Sequence, residues 1–164
     1  MRTLDAQYAK TDGRYRKTQL TLQRWQQFIG KSQLLGKIQQ QWASKNLDSS
    51  EKLSLGGVNG IRAYPLGEVS GDEGYLARID WRFPLSEQCA LGVGYDAGRV
   101  KINKHRLSHT APSHASRRGW ALFAEGRYRD FDLSATIAWR DTDDKAVSGP
   151  EKSPRLWVQA GWGF

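Results

Sequence analysis

Cysteine is almost absent from these 164 residues; Cys89 stands alone. One cysteine cannot close an internal disulfide, so no covalent staple is expected. A lone thiol in a strand reads as inert packing. Long apolar runs are also missing. No stretch approaches the roughly 18 apolar residues of a membrane helix. No long segment carries the helical period of about 3.6 residues. The opening Met1-Arg2-Thr3-Leu4-Asp5 leads into no apolar stretch, and Asp5 and Lys10 interrupt the start, so it is not read as a secretory signal. There is no phosphate-binding loop, dinucleotide fingerprint or nucleophile–base signature. Acids such as Asp72 and Glu73 stand side by side in a loop, with nothing to set a catalytic geometry. Neither enzyme activity nor a cofactor is expected.

What is present is charge and aromatic surface. The net charge is +8, with seven Trp and six Tyr. That balance fits nucleic acid, an acidic surface, or a polar lumen that passes polypeptide. A polar chain rich in aromatics and free of long apolar runs has the composition of a transmembrane β-barrel, whose lumen face is polar. A soluble β-protein can share that composition.

Alternation separates these cases further. Phe131, Leu133, Ala135, Ile137 and Trp139 alternate with Asp132, Ser134, Thr136, Ala138 and Arg140. Ten alternating residues match a tilted membrane strand. Tyr75, Ala77, Ile79, Trp81 and Phe83 repeat the pattern. So do Trp120, Leu122, Ala124, Gly126 and Tyr128, with Glu125 and Arg127 on the other face. Leu156, Val158, Ala160, Trp162 and Phe164 close the chain in the same way. Residues 90–101 alternate, then change phase near Gly98, which predicts a bulge. Residues 14–28 and 32–45 are longer and mixed, and both read as strands; the Gln39-Gln40-Gln41 run leaves a helix open. Seven strands are expected, with an uncertain eighth near Thr3 to Tyr8. There is no internal repeat.

Connection lengths alternate between long and short. Long loops are expected at about 46–73, 103–118 and 141–154. Short turns are expected at Ile29-Gly30-Lys31, Pro84-Leu85-Ser86-Glu87 and Arg129-Asp130. Outer-membrane barrels keep this order, with short periplasmic turns and long extracellular loops. The last strand then runs downward, and Trp162 and Phe164 face lipid at the interface, where aromatic girdles sit.

The run from Trp42 to Leu85, "WASKNLDSSEKLSLGGVNGIRAYPLGEVSGDEGYLARIDWRFPL", followed by "GYDAGRV" and a final strand ending in Phe, resembles the two-partner secretion transporters of the haemolysin-activator ShlB/FhaC/HecB type. The resemblance covers nearly the whole chain in order. It implies a barrel of about 16 strands, with this chain as the C-terminal part of its wall. The fold expected is therefore an all-β, antiparallel transmembrane β-barrel segment of about seven strands, spanning residues 1–164, without signal peptide or periplasmic transport domains. In such transporters a long loop folds back into the lumen. An arginine at its tip meets an aspartate on the wall. The matching tip here is Ile61-Arg62-Ala63-Tyr64, with Ala63 where the family has glycine. The matching wall motif is Asp96-Ala97-Gly98, with Gly94 where an aromatic often stands. The resemblance thus points to Arg62, Tyr64, Gly56, Gly57 and Gly60 as the loop anchor and to Asp96 and Gly98 as its partner. It makes Trp162 and Phe164 the C-terminal membrane-assembly signal. Glycines let the loop turn sharply, and arginine supplies a planar fork for one carboxylate. The partners implied are a secreted exoprotein, outer-membrane lipid and the outer-membrane assembly machinery, in the bacterial outer membrane, and not nucleic acid.

Other clusters carry less. His105, His109 and His114 have a spacing that can present metal ligands, in a stretch read as a solvated loop. Asp141, Asp143 and Asp144 lack the glycine and closing glutamate of a calcium loop. Arg78, Arg82, Lys101, Arg127 and Arg140 lie in or near strands, either lining a lumen or balancing acids such as Asp80, Glu125 and Asp132. Two alternatives remain. One is a soluble basic β-domain that binds nucleic acid or another anion, against which the spread of charge along alternating strands weighs. The other is a remnant without activity, since seven strands do not easily close a barrel and open edges in lipid leave backbone groups unpaired.

Overall fold

The computed structural model describes residues 14–105, 112–141 and 153–163. The strands are β1 (Lys17–Gln27), β2 (Gln33–Ala43), β3 (Leu53–Ser54), β4 (Ser70–Gly71), β5 (Glu73–Pro84), β6 (Cys89–Lys101), β7 (His114–Tyr128), β8 (Phe131–Arg140) and β9 (Arg155–Trp162). Seven of them form one antiparallel sheet in the order β1-β2-β5-β6-β7-β8-β9. Each strand pairs with the next long strand in sequence, as an up-and-down wall requires. The sheet does not close, and β1 and β9 are its edges.

Parity sorts the residues, because successive side chains point to opposite faces. Tyr75, Ile79 and Phe83 on β5, Leu91 on β6, Trp120 and Leu122 on β7, and Leu133 on β8 are exposed on one face. Gln41, Asp80, Asp96, Arg117 and Thr136 are buried on the other. This inversion of the usual burial is what a wall between lipid and a polar lumen would show.

The segment between β2 and β5 lies over the polar face. It holds a short 3-10 turn, Ser49–Glu51, capped by Asp48, whose carboxylate accepts from the Ser50 amide at 3.1 Å. It then pairs β3 with β4. Leu53, Leu55, Ile61, Ala63 and Tyr64 from this segment pack with Val100, Ala121 and Ala138 from the wall. The compact core of the described residues is therefore a seam between loop and sheet.

Several expectations change here. No bulge occurs at Gly98: β6 pairs without interruption with β5, from Pro84↔Ala90 to Glu73↔Lys101, and with β7 throughout. The phase change in sequence has another cause. Val100 keeps inward parity and is fully buried because the loop covers it, while Arg99 is exposed on the opposite face. The same parity puts Lys101 on the apolar, outward face, away from the polar face where Arg78, Arg82, Arg127 and Arg140 fall. The loop expected at 103–118 is shorter, since β7 begins at His114. Ala115 and Arg117 belong to this extra length, Gly119 follows directly after it, and the loop packs against all three. The Gln-rich run is strand, not helix. The short turns fall as expected. Gly30 has φ 61, and Arg129 opens the two-residue turn with φ 52. The eighth strand near Thr3 to Tyr8, His109, Asp143, Asp144 and Phe164 lie outside the described residues.

Candidate functional site

Arg62 sits at the tip of the long loop and is almost fully buried. A tight turn presents it. The Tyr64 amide donates to the Ile61 carbonyl at 3.1 Å, and the Ile61 amide donates to the Leu55 carbonyl at 2.7 Å. Gly57 takes φ 97, a region that favours glycine, and its amide donates to the Tyr64 carbonyl at 3.0 Å. Gly56 and Gly60 stand where the two limbs touch. A Cβ on Gly56 would lie 1.9 Å from the Pro65 carbonyl oxygen, and one on Gly60 would lie 2.5 Å from that of Leu55.

The arginine reaches two carboxylates on adjacent strands. Its Nε donates to Asp96 Oδ2 at 2.8 Å and its Nη2 to Asp96 Oδ1 at 2.9 Å, a two-pronged pairing on β6. Its backbone amide also donates to Asp96 Oδ2, at 3.0 Å. The same Nη2 donates to Asp80 Oδ1 on β5 at 2.6 Å. Arg78, also on β5, completes the group: its Nε donates to Asp96 Oδ1 at 2.9 Å, and its Nη2 donates to the loop carbonyls of Val58 and Gly60 at 2.9 and 2.7 Å. Two cations face two anions, so the buried cluster is neutral. Burial pulls the Arg62 pKa down, but the hydrogen bonds and charges of Asp96 and Asp80 outweigh it and hold the guanidinium above its ordinary value.

Small residues make room for this cluster. A Cβ on Gly94 would meet Asp80 Oδ1 at 2.0 Å and Arg62 Nη2 at 2.3 Å. An aromatic at that position would occupy the place of the guanidinium. Phe123 on β7 supplies a ring instead. It lies over Gly92, whose added Cβ would be 2.1 Å from the ring, and its centroid is 5.8 Å from the Arg62 Cζ. A Cβ on Gly98 would meet Leu55 and Leu76 at 2.9 Å. Ala63 fits in place of glycine because Gly119 opposes it: a Cβ there would be 2.5 Å from the Ala63 methyl.

Further contacts hold the loop elsewhere. Buried Glu68 accepts from Arg117 Nε on β7 at 2.9 Å. The Arg117 Cζ sits 5.3 Å from the Tyr64 ring centroid, so Tyr64 is packed under a cation. Trp157 on β9 donates its indole N–H to the Arg62 carbonyl at 2.7 Å. At the base of the loop, buried Asp72 accepts from the backbone amides of Leu47 and Lys104 at 3.1 and 2.7 Å and pairs with Lys52 at 3.1 Å.

The candidate loop and wall residues Arg62, Tyr64, Gly56, Gly57, Gly60, Asp96 and Gly98 lie together at this seam. Trp162 lies far along the sheet, at the opposite end of β9, exposed and stacked on Phe131 at 5.9 Å. Asp80, Arg78, Glu68, Arg117, Trp157 and Gly119 complete the site but were not singled out for it from sequence. Their pairing becomes readable only once the register is known. Among the described residues no group of three metal-ligating side chains forms. The His105 amide donates to the Asn46 side-chain oxygen at 2.7 Å, the His114 ring meets Ser113, and Asp141 pairs with Arg118 and Tyr95.

An open antiparallel sheet with an exposed apolar face, and a loop ion-paired to its polar face, are what a segment of a β-barrel wall would show. Residues 1–122 match the family described as "Haemolysin secretion/activation protein ShlB/FhaC/HecB", and the chain belongs to that family. It is similar to the "Heme/hemopexin transporter protein HuxB" of Haemophilus influenzae strain 86-028NP, at 37% identity over 75 residues, 43% of this chain and 13% of that protein. The protein of the same name from strain ATCC 51907 / DSM 11121 / KW20 / Rd is 38% identical over 72 residues, 42% of this chain and 13% of its own length. The chain thus spans a small fraction of these relatives. No solved structure matches it significantly.

Proposed function

We propose that this chain is the C-terminal wall and lumen loop of an outer-membrane β-barrel that carries a large unfolded exoprotein across the membrane by two-partner secretion. Arg62 anchors the loop and Asp96 receives it. The observation that carries the reading is the neutral buried cluster of Arg62, Arg78, Asp80 and Asp96, which ties the loop to two neighbouring strands. A loop held in this way narrows the lumen and gives a passing chain a fixed polar surface. The polar face below the tip, with Arg82 bonded to Glu125 at 2.7 Å and Arg127 to Asp132 at 2.7 Å, offers charge of both signs and keeps an unfolded polypeptide solvated.

The cargo is an exoprotein of the haemolysin or adhesin kind. The likeness to HuxB adds heme/hemopexin handling as a candidate for what that exoprotein serves. Trp162, at the end of β9, acts with Phe164 as the recognition signal for the assembly machinery. The soluble nucleic-acid-binding alternative is disfavoured by the exposed apolar row of Ile79, Leu91, Leu122, Leu133 and Val158 on the outward face.

The test is secretion by the full-length protein. Arg62→Ala and Asp96→Ala should each lower export of the cognate exoprotein while the barrel still reaches the outer membrane. Undiminished export by both variants would sink the assigned roles.

A further inference from the structure

The outward face carries two aromatic rows. Near the short turns stand Tyr128, Phe131 and Trp162, with Tyr128 opposite Phe131 and Phe131 opposite Trp162. Nearer the long loops stand Tyr95, Trp120 and Trp139, neighbours on three successive strands, with the first two rings 4.6 Å apart. From Trp120 to Tyr128 the strand rises about 27 Å at about 3.4 Å per residue. A tilt of about 40° reduces this to about 20 Å, and the breadth of the rings brings it near the roughly 25 Å apolar band of such barrels.

Just beyond the upper row, on the long-loop side, the outward charges are mainly positive. Arg118 lies opposite Ala97, Arg99 opposite Ser116, and Lys101 opposite His114. Arg99 and Arg118 are therefore diagonal neighbours on one face, within reach of a shared ligand. Arg118 has an acid beside it, Asp141 at 3.5 Å, which also takes the Tyr95 hydroxyl at 2.9 Å. Lys101 is 3.9 Å from Glu73, which is already bonded to Lys104. The residues directly opposite Arg99 are Tyr75 and Ser116, neither of them an acid; the acid diagonal to it, Glu73, pairs with Lys104 and Lys101. Like charges placed diagonally repel unless an anion lies between them.

We propose that Arg99 and Arg118, with Lys101 above them, bind the phosphate of a phosphorylated glycolipid in the outer leaflet of the membrane. The proposal rests on the outer-membrane reading. Two guanidinium forks suit a phosphate. Tyr95 and Trp120 lie at the depth of the sugar, and Leu91, Val93 and Leu122 lie below them at the depth of the acyl chains. Among the described residues the lower edge offers no such cluster: Lys31, Glu87, Arg129 and Asp130 are mixed in sign and sit in the turns.

The test uses the full-length protein in detergent, with bisphosphorylated lipid A, its dephosphorylated form and inorganic phosphate as probes. Removing the phosphates from the lipid should weaken binding about tenfold or more, the loss expected for charge-assisted hydrogen bonds. The double variant Arg99→Gln/Arg118→Gln should lose the preference, and Lys31→Gln, in a short turn at the other edge, should keep it. Equal binding of the two lipids, or a preference that survives the double variant, overturns the proposal. Inorganic phosphate that displaces the lipid at equal concentration overturns the lipid assignment in favour of a simple anion site. Fractionation of the producing cells, before detergent is added, separates the two readings. A protein outside the outer membrane fails both, whereas an outer-membrane protein indifferent to phosphate fails only this one.

Discussion

Arg62 meets Asp96 with both its backbone amide and its side chain, so a single carboxylate fixes the loop tip in position and in direction. Removing the carboxylate leaves a buried cation with only Asp80 as an anionic partner. Breaking a buried pair in this way costs about 3–5 kcal/mol. Asp96→Ala should therefore free the loop tip, seen as faster protease cleavage near residues 57–67. Arg62→Lys should fail to restore docking, because an ammonium lacks the planar fork.

Gly119 and Ala63 should behave as a pair. Gly119→Ala drives a methyl into that of Ala63 and should cost about 1–3 kcal/mol, the usual range for overpacking. Adding Ala63→Gly should recover part of the loss. Recovery stays partial because the new Cβ also lies 2.6 Å from the Trp139 carbonyl oxygen. Thermal unfolding of the two single variants and the double variant measures the coupling.

Glu68 and Arg117 hold the returning limb of the loop separately from the tip. Glu68→Ala strands a buried guanidinium and should destabilise docking, with the limb after Pro65 loosening more than the tip. Hydrogen exchange at residues 66–71, compared with 59–62, distinguishes the two regions.

Trp157 links the edge strand β9 to the loop tip through one neutral hydrogen bond. Trp157→Phe keeps most of the ring and removes the donor. The expected cost is about 1–3 kcal/mol for leaving the Arg62 carbonyl without that donor. Loop release should be smaller than for Asp96→Ala under the same protease assay.

The wall itself was largely legible in the sequence. The clean period of two in residues 131–140 and 75–83 sets both the strands and their apolar face, and the ends of β8 fall where alternation puts them. Residue 100 misled because periodicity assumes that inward positions are polar. Val100 is apolar because the loop covers it, and the loop is not visible in a local window. The same blindness hid the start of β7: His114 to Arg118 look loop-like, yet Arg117, and Gly119 just beyond, face the docked loop. Arg62 and Asp96 were found through family motifs. Asp80 was not, since its role depends on Gly94 opposite it in register leaving space for the guanidinium.

The most direct measurement asks whether the loop tip lies against the wall. Asn59 and Gln39 line one small crevice between the tip and β2. In the full-length protein with Cys89→Ser, Asn59→Cys and Gln39→Cys should be joined by a short bis-maleimide cross-linker in native outer membranes. Adding Asp96→Ala should sharply reduce the yield. A loop that never cross-links, or one that cross-links equally well without Asp96, would contradict the account.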